Sequence, residues 1–539
     1  PDRPIKSDMR LMTDYIFPEK TMTSHTGLAE FIEEHFDDNT DRLLLGKSKW
    51  PDIDMALAVS TILGHRKLRT KVPSWYRNPG LIFPTSLSVE QCSSEFTAEA
   101  KVKSFLELLD SEADMRHSQA AASPDKTDTH QTQAEVPLGK DGYSTGTSRK
   151  EDNILTGMKI ADLTGGLGVD SYVFSRHFGA VLYNEMNPVL AEAAGHNFQA
   201  LGCDNITVRC NTITSPGSVK ELLADFAPDV IYLDPARRAA DGRKVFRLKD
   251  CQPDILTLKD GLLSMARLVA VKLSPMADTD VIVRELGPHC RRIDVVSREN
   301  ECRELVVWLD RNFNGECVIH AKCSGKAELG FLKSEEAGAD ASLLRSPEQL
   351  HTLHVHPQPR QGENPLPSDH NTEEIDTQSI TSNHIIEGPL YLLEPDKALL
   401  KAGTFKILCG RFGLKMLDRS THYYIADSLD GQSAMPLDAC TVPRHANGPE
   451  TSSATRSVRD FFRIYRIVRV LSLDRTGIRA AAKEFPSAEV TARNIPMSSE
   501  ELRRKLGARP SDRYHIFGLR VSFRSAPSAN CLFVTVPLP

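Results

Sequence analysis

A short charged segment stands where a parallel α/β sheet would carry chemistry. Asp234-Pro235-Ala236-Arg237-Arg238 follows an apolar strand predicted over 229–233. The carboxyl edge of such a sheet is where open α/β folds bind ligands. Asp234 could therefore orient or deprotonate an acceptor group, and Arg237 or Arg238 could bind a phosphate. Neither arginine can act as a base, because its pKa is too high.

A lysine at the end of the next strand suits the same chemistry. Lys272 lies near the end of the strand predicted over 269–273 and could stabilise charge at the acceptor. Pro235 completes the set of candidate catalytic residues. The two arginines have a second interpretation, in which they form a structural ion cluster with Asp241 or Asp250.

A glycine turn comes earlier in the chain, after the apolar strand predicted over 160–163. The turn contains Gly165, Gly166 and Gly168 and leads into a predicted helix. Glycine lets a ligand approach the backbone and accepts positive φ, and the helix that follows points free N–H groups at whatever binds. We predict a nucleotide cradle here, although an ordinary βα turn of an unrelated α/β domain has the same pattern.

A carboxylate stands where such folds hold a ribose. The second predicted strand, 181–183, ends near Glu185, about 20 residues after Gly165, and a carboxylate there can hold both ribose hydroxyls. A dinucleotide fingerprint GxGxxG would need glycine at Ser171. NAD is therefore disfavoured.

The glycine turn, DLTGGLG at 162–168, resembles motif I of the class I S-adenosylmethionine (SAM) methyltransferases. The resemblance implies SAM as the cofactor, with Asp162 near its methionine end and the glycines passing under it. It implies that Glu185 takes the ribose and that Asn211, after a strand over 206–210, lies where the adenine is usually met. The implied cofactor-binding residues are Asp162, Thr164, Gly165, Gly166, Gly168, Glu185 and Asn211.

The segment at 234–238 departs from the pattern of amino-methylating class I enzymes. Those enzymes carry Asp/Asn-Pro-Pro-aromatic there: the acidic or amide group and a backbone carbonyl accept the amino hydrogens, and the aromatic ring stacks on the base. Ala236 and Arg237 replace the second proline and the aromatic residue in this chain. The departure weakens the expectation of amino methylation.

The same segment is closer to the DPPR or DPAR of 5-methyluridine RNA methyltransferases. Those enzymes also need a cysteine nucleophile in a Ser-Cys-Asn-Pro segment, because an unactivated pyrimidine carbon must be attacked before it accepts a methyl group. This chain has Lys272-Leu273-Ser274-Pro275 at that place. Direct displacement by a nitrogen or oxygen is therefore favoured, and the enzyme mainly aligns the reacting atoms.

The rest of the chain must position these residues, and composition shifts divide it. Alternating short apolar runs and helical segments predict a mostly parallel, doubly wound sheet, and the runs 293–296 and 304–309 resemble the antiparallel pair that closes a methyltransferase sheet. We predict a helical N-terminal domain (1–110), a disordered linker (111–152), the methyltransferase core (153–330), a disordered insertion (331–384), a small module (385–427) with a helix over 396–412, a loop (428–455) and a C-terminal domain (456–539).

The C-terminal domain reads strand, helix, strand, helix, strand, strand. Asp474 and either Ser498 or Ser499 can cap its two helices, and Gly507 follows the second. Residues 456–524 hold 16 Lys or Arg against 7 Asp or Glu. Such a surplus is typical of a polyanion-binding surface, although a solvated basic domain has the same composition. The candidate RNA contacts are Arg493, Arg503, Arg504 and Lys505.

Several segments taken together resemble one bacterial family of class I SAM-dependent methyltransferases with a THUMP-like C-terminal domain. They are EQCSSE at 90–95, DLTGGLGVD at 162–170, DPARR at 234–238 with GRKVF at 242–246, KLSPM at 272–276, and TARNIPMSSEELRRKLG at 491–507. The resemblance implies a Rossmann-like SAM-binding core, a ferredoxin-like module at 385–427 and a THUMP-like domain at 456–539. THUMP domains in general bind structured RNA.

Composition excludes some classes of protein. The net charge of -6 disfavours a uniformly basic nucleic-acid binder. Eleven cysteines without a CxxC pair or a Cys/His cluster favour reduced thiols and no metal, and no apolar run approaches the length of about 18 residues that a membrane span needs. We expect a cytoplasmic protein that does not enter a membrane. A basic run at 65–71 beside Trp75 and Tyr76 could contact RNA or could be a solvated helix end.

The sequence thus predicts a SAM-dependent methyltransferase that acts on a nitrogen or oxygen of structured RNA, tRNA or rRNA. Two alternatives stay open. One is a methyltransferase for a protein or small molecule, whose C-terminal domain binds a protein. The other is a non-catalytic RNA-binding protein, which the altered segment after Pro235 keeps under consideration.

Overall fold

The computed structural model of the chain describes residues 26–121, 155–237, 248–344, 346–347, 390–429 and 457–539. These residues belong to two compact units. The first comprises residues up to Asp294 together with Arg303–Cys317, and the second comprises Val295–Cys302 and Val318–Pro539. The tip of one hairpin, 295–302, therefore belongs to the second unit.

A mostly parallel sheet forms the centre of the first unit. Its strands are β1 (Lys159–Asp162), β2 (Ala180–Asn184), β3 (Ile206–Arg209), β4 (Val230–Leu233), β7 (Leu268–Leu273), β8 (Cys290–Arg298) and β9 (Glu301–Asp310), and β5 (Ala236–Arg237) with β6 (Cys251–Gln252) forms a separate ribbon. The strand order is β8-β9-β7-β4-β1-β2-β3, in which β1, β2, β3, β4 and β7 run parallel and β9 runs antiparallel to β7. The doubly wound sheet is confirmed.

Helices flank this sheet and begin at the residues that their sequences favour. Asn187 and Asp254 accept hydrogen bonds from the first backbone N–H groups of the helices that follow them, which satisfies donors that a helix start leaves free. The helices are α1 (Thr26–Glu34), α2 (Thr40–Leu45), α3 (Met55–Lys71), α4 (Ser86–Gln91), α5 (Glu95–Ala121), α6 (Val169–Ser175), α7 (Pro188–Ala200), α8 (Pro216–Leu222), α9 (Ile255–Met265) and α10 (Thr279–Leu286).

The N-terminal helices share hydrophobic cores with the sheet domain. Trp75 and Phe83 lie in one buried cluster with Leu167 and Val169 at the start of α6, and Ile82 packs in another cluster with Ala193 of α7. A separate N-terminal domain at 1–110 is therefore not what the structure describes. The helices from 26 onward belong to the same compact unit as the core.

The predicted linker at 111–152 begins with a helix. Helix α5 continues to Ala121, because the first residues of the linker, SEADMRHSQAA, include good helix formers that extend a helix already started at Glu95. Residues 122–152 lie outside the described residues. The prediction that the linker starts at 111 was wrong, because the helix extends to Ala121.

A seven-stranded sheet organises the second unit. Its strands are β12 (Tyr391–Pro395), β13 (Lys415–Met416), β14 (Tyr424–Ala426), β15 (Phe462–Ser472), β16 (Glu489–Arg493), β17 (His515–Val521) and β18 (Ala529–Pro537), and a hairpin of β10 (Val318–Cys323) and β11 (Ala327–Leu332) belongs to the same unit. The strand order is β13-β14-β12-β15-β18-β17-β16, and β16 and β17 are parallel neighbours within it.

The helices of the second unit correct two predictions. Helix α11 (Lys333–Gly338) lies inside the predicted disordered insertion, whose residues 348–384 are outside the described ones. The single helix predicted over 396–412 is two, α12 (Lys397–Ala402) and α13 (Lys406–Phe412), because Gly403 adopts φ +82° and ends the first. The predicted core at 153–330 also ran too far, since β10 and β11 group with the second unit.

The C-terminal helices α14 (Arg475–Glu484) and α15 (Ser499–Leu506) confirm the predicted caps. Asp474 accepts hydrogen bonds from the N–H groups of Thr476 and Gly477, and Ser498 accepts one from Glu501. Gly507 ends α15 with φ +60°. Among the described residues, no helix is both long and apolar enough to cross a membrane.

Candidate active site

The glycine turn between β1 and α6 has the backbone that its sequence predicts. Gly166 and Gly168 adopt φ values of +53° and +91°. Gly165 has no room for a side chain, because an added Cβ would lie 2.0 Å from the ring of Tyr183. An added Cβ on Gly166 would instead meet no atom within 4 Å, so the space over this residue is open to a ligand.

The peptide of Gly166 is held from both sides by residues of β2 and its end. The Gly166 N–H donates to the Glu185 carboxylate at 2.9 Å, and the Tyr183 hydroxyl donates to the Gly166 carbonyl at 2.6 Å. The Asn187 N–H donates to the other carboxylate oxygen of Glu185 at 2.8 Å. Hydrogen bonds thus fix the glycine turn and Glu185, the residue predicted to bind the ribose, to each other.

The predicted adenine-side residue is also fixed to this edge. The side chain of Asn184, at the end of β2, accepts the Asn211 N–H at 3.0 Å and donates to the Asn211 carbonyl at 3.0 Å. Asn211 itself is exposed. Glu185, Asn211 and the glycine turn therefore lie together at the carboxyl ends of β1, β2 and β3, the edge where open α/β sheets bind ligands.

Asp162, at the end of β1, is only 1 % exposed. Its carboxyl group accepts hydrogen bonds from the Thr164 N–H at 3.1 Å and the Ser171 hydroxyl at 2.7 Å. Burial, together with the nearby charge of Asp170, raises its pKa to about 8. The side chain thus fixes the start of the glycine turn through its hydrogen bond from Thr164, and it holds its proton at neutral pH.

Replacing Asp162 with Asn should make the protein more resistant to alkaline pH. The folded pKa near 8 exceeds the value of 3.8 for a free carboxyl group, so the folded state loses stability as pH rises through this window. Asn can still accept the Thr164 N–H through its amide oxygen and can donate an amide N–H to the Ser171 hydroxyl, which reverses that bond, and it removes the titration. Thermal unfolding measures the Tm of both proteins at pH 5 and pH 9. Between these pH values, the Tm of Asp162→Asn relative to that of the wild type should rise by several degrees.

The exposed carboxylate of Asp260 provides the matched control for that measurement. Asp260→Asn should change Tm by the same small amount at both pH values. An equal response of the two variants would contradict a proton held at Asp162.

Asp234 lies directly after β4 and is half-buried. Its carboxylate is 2.6 Å from the Nζ of Lys272 on β7, and its own N–H donates to the Thr164 hydroxyl at 2.6 Å. Thr164, predicted as a cofactor residue, therefore connects the glycine turn to the backbone of Asp234. The structure brings the two predicted halves of the site together.

The charge of Lys272 is strongly stabilised. Burial would lower its pKa, but the carboxylates of Asp234, Glu304 and Asp170 raise it well above the ordinary value. Lys272 therefore stays protonated and cannot serve as a base. Its ammonium group keeps Asp234 paired and directed as a hydrogen-bond acceptor.

The other residues of the 234–238 segment are placed only in part. Pro235 is buried, and the backbone of Arg237 pairs with Cys251 in the β5–β6 ribbon. Arg238 and Asp241 lie outside the described residues. The roles predicted for the two arginines stay predictions.

Two polar residues near Lys272 were not predicted from the sequence. Ser93, just before α5, accepts a hydrogen bond from Lys272 at 3.1 Å and donates one to Asp170 of α6 at 2.6 Å. Both residues fall inside segments that carry the family resemblance, EQCSSE and DLTGGLGVD. Ser93 and Asp170 are polar residues in these segments to which no role was assigned, and that was the signal by which they could have been found.

The four predicted RNA contacts differ in their surroundings. Arg493, at the end of β16, and Arg504, on α15, are exposed and have no ion-pair partner among the described residues. Arg503 lies 3.5 Å from Glu489, and Lys505 lies 3.0 Å from Glu501. Arg493 and Arg504 are therefore the freer pair.

A row of cations on the neighbouring helix was missed. Arg475, Arg479 and Lys483 recur at every fourth position of α14, and all three are exposed. Residues four apart lie on one face of a helix, and α14 packs against α15. The spacing was readable from the sequence once the helix was assigned.

The basic run at 65–71 has a structural role. His65 and Trp75 are fully buried, so the indole ring cannot stack on a base. Lys71 donates to the carbonyls of Val89 and Glu90 at 3.1 Å and 2.6 Å. An RNA contact of Trp75 was the wrong alternative for this segment.

Two family models match the second unit. Residues 391–432 match a ferredoxin-like domain, and residues 462–534 match a THUMP domain-like family. These ranges contain β12 to β14 and β15 to nearly the end of β18. The THUMP-like identity of the C-terminal domain is confirmed.

Similar proteins cover most of the chain. Two Mycobacterium tuberculosis proteins, from strains CDC 1551 and H37Rv, are each 24% identical over 362 residues, which is 66% of this chain and 76% of theirs. Both are described as uncharacterised S-adenosylmethionine-dependent methyltransferases. The crystal structure of a candidate methyltransferase from Porphyromonas gingivalis W83 superposes with a TM-score of 0.65 at 22% identity, covering 97% of this chain and all of that one.

Proposed function

This chain is a methyltransferase with a THUMP-like C-terminal domain, and we propose that it transfers the methyl group of SAM to a nitrogen or oxygen of structured RNA. The observation that carries the proposal is the link between the glycine turn and Asp234. The Thr164 hydroxyl joins them at 2.6 Å, so a cofactor on the turn and an acceptor at the carboxylate would be neighbours.

The residues divide the work of methyl transfer. SAM, when bound, supplies an electrophilic methyl group. The open space over Gly166 and the carboxylate of Glu185 would hold the cofactor, and Asp234 would accept the hydrogen of the acceptor N–H or O–H. Catalysis of this kind consists mainly of alignment and exclusion of water, for which a fixed carboxylate at the sheet edge is suited.

Nitrogen or oxygen is favoured as the acceptor because no activated thiol is described at the site. Cys92, an electrostatic neighbour of Lys272, is the cysteine to consider, and burial raises the pKa of its thiol above the ordinary value. A protonated thiol is a poor nucleophile for attack on a pyrimidine carbon. Asp234 suits an acceptor that carries its own hydrogen.

Structured RNA is proposed as the acceptor on the strength of the C-terminal domain. Its helices α14 and α15 present Arg475, Arg479, Lys483 and Arg504, and Arg493 ends β16. Cations on neighbouring helices suit a phosphate backbone, whose contacts position an RNA without reading its sequence.

A labelling experiment tests the function. The full chain and SAM with a radioactive methyl group are incubated separately with total tRNA and rRNA, with the protein fraction and with the small-molecule fraction of cells that lack the gene. Labelled nucleosides are identified by mass spectrometry. Label in a nucleoside nitrogen or oxygen is the expected result. Label in protein or small molecules alone would support the alternative acceptor class instead.

Salt dependence of RNA binding should distinguish the freer cations from the paired ones. Arg493→Gln with Arg504→Gln should flatten the log-log slope of affinity against salt by about 1.5, since each phosphate contact contributes roughly 0.7 to 0.9. Arg503→Gln with Lys505→Gln removes the same charge but should flatten the slope less, because Glu489 and Glu501 already neutralise part of it. Fluorescence anisotropy with the full chain from 50 to 300 mM salt would measure both.

Identical slopes for the wild type and both variants would place the RNA contact elsewhere. SAM binding, measured in parallel by calorimetry, should be the same in all three proteins. A loss of SAM binding would mean that the substitutions disturb the fold.

A further inference from the structure

Lys272 is held between two oxygen atoms rather than by Asp234 alone. Its Nζ donates to Asp234 at 2.6 Å and to the Ser93 hydroxyl at 3.1 Å. Ser93 in turn donates to Asp170 at 2.6 Å, which fixes the direction of its hydroxyl. The hydroxyl oxygen is thereby presented to Lys272 as an acceptor.

Asp170 is itself anchored from the N-terminal helices. Lys101 of α5 lies 3.1 Å from Asp170 and 2.7 Å from Glu304 of β9, and its side chain is 2 % exposed. The Tyr232 hydroxyl donates to Asp170 at 3.1 Å. Charges buried to this extent are costly unless each is paired, so the arrangement of the group is strongly fixed.

We infer that Ser93 and Lys101 are positioning residues for methyl transfer, which hold Lys272 and through it the carboxylate of Asp234. The inference rests on the proposed function. It makes the segment before and within α5 a part of the acceptor site rather than an accessory domain. No role for this segment follows from the glycine turn or from the 234–238 segment.

The physical reason lies in the freedom of a lysine side chain. Lys272 has four rotatable side-chain bonds, and with one partner it could pair with Asp234 in several positions. A second partner, the Ser93 hydroxyl, restricts these positions and so also holds in place the carboxylate that would face the acceptor. A displacement of about 1 Å at a reacting group can reduce a rate by about 100-fold.

Ser93→Ala tests the inference without removing a charge. Methyl transfer should fall by about tenfold in kcat, while the KM and Kd for SAM stay within about twofold of the wild type. Ser93→Thr keeps the hydroxyl and should restore most of the rate. If Ser93 served only folding, Ser93→Ala would lower the Tm and the amount of active protein but would leave kcat per active molecule unchanged, so Ser93→Thr would have no loss of kcat to restore.

The adjacent serine provides the control. Ser94 bonds with Thr97 at the start of α5 and lies outside the charge network, so Ser94→Ala should lower Tm slightly and leave kcat unchanged. Lys101→Arg retains the charge but changes its geometry and should lower kcat, whereas Lys103→Arg on the exposed part of α5 should not.

The outcomes separate the inference from the function on which it rests. If the wild type methylates RNA and Ser93→Ala has the same kcat, the inference is overturned and the function stands. If the wild type methylates only another class of acceptor, the RNA proposal fails, and an equal kcat of Ser93→Ala and wild type with that acceptor overturns the inference as well. A protein that binds SAM and methylates nothing overturns both.

Discussion

Asp234→Asn should reduce methyl transfer by about two orders of magnitude or more while SAM affinity stays within about twofold. The amide keeps the size of the side chain and leaves the backbone bond to Thr164 in place. It removes the negative charge that pairs with Lys272 and turns one acceptor oxygen into a donor. Steady-state transfer of labelled methyl and calorimetry with SAM would measure the two quantities.

A second aspartate at the same sheet edge provides the control. Asp278 follows β7 and caps α10 by accepting the N–H groups of Asp280 and Val281. Asn is an equally good residue for that position, so Asp278→Asn should keep both activities. If Asp234→Asn instead lost SAM binding and transfer equally, its carboxylate would be structural or cofactor-binding.

Gly166→Val should lower SAM affinity by at least about 100-fold, which corresponds to about 2.8 kcal/mol. A Cβ added to this residue meets no atom within 4 Å, so a side chain would extend from it into the open space of the proposed cradle. The loss of affinity would therefore come from the ligand being excluded. Calorimetry on the full chain is the direct measurement.

A control glycine elsewhere in the first unit distinguishes the effect of backbone strain from the exclusion of the ligand. Gly202, after α7, has φ +70° and also no atom within 4 Å of an added Cβ. Gly202→Val should incur comparable strain, which lowers Tm, and should leave SAM affinity unchanged. Equal loss of SAM affinity in both variants would remove the basis for placing the cofactor over Gly166.

The parts of the site that could be predicted from the sequence are those set by local patterns. A strand followed by glycines that need positive φ indicates a turn at Gly166 and Gly168, and the structure has those φ values. Asp234 and Lys272 follow or end parallel strands that are neighbours in the sheet, so their proximity at its carboxyl edge followed from the predicted topology.

The missing parts are those set by contacts between distant segments. Ser93 and Lys272 are 179 residues apart, and no periodicity or motif spacing joins a residue before α5 to the end of β7. The burial of Lys101 was equally invisible, because a lysine in an amphipathic helix is ordinarily solvated. Its partners Asp170 and Glu304 come from two other elements.

A similar limit explains the boundary drawn between the ferredoxin-like module and the C-terminal domain. The loop predicted at 428–455 separates them in sequence, yet β12 pairs with β15 from Tyr391 opposite Arg466 to Pro395 opposite Phe462. Backbone pairing leaves little trace in side-chain patterns when the strands are more than 60 residues apart in the chain, as here.

The pairing of β12 with β15 has a consequence for how the gene can be divided. A fragment beginning at 455 would expose the edge of β15 that pairs with β12, from Phe462 to Arg466, which invites association with other chains. Chimaeras that exchange the two matched families one at a time should therefore be insoluble, whereas a transplant of the whole seven-stranded sheet should survive. For protein engineering, the unit to exchange is the whole sheet, to which the ferredoxin-like module contributes three strands and the THUMP-like domain four.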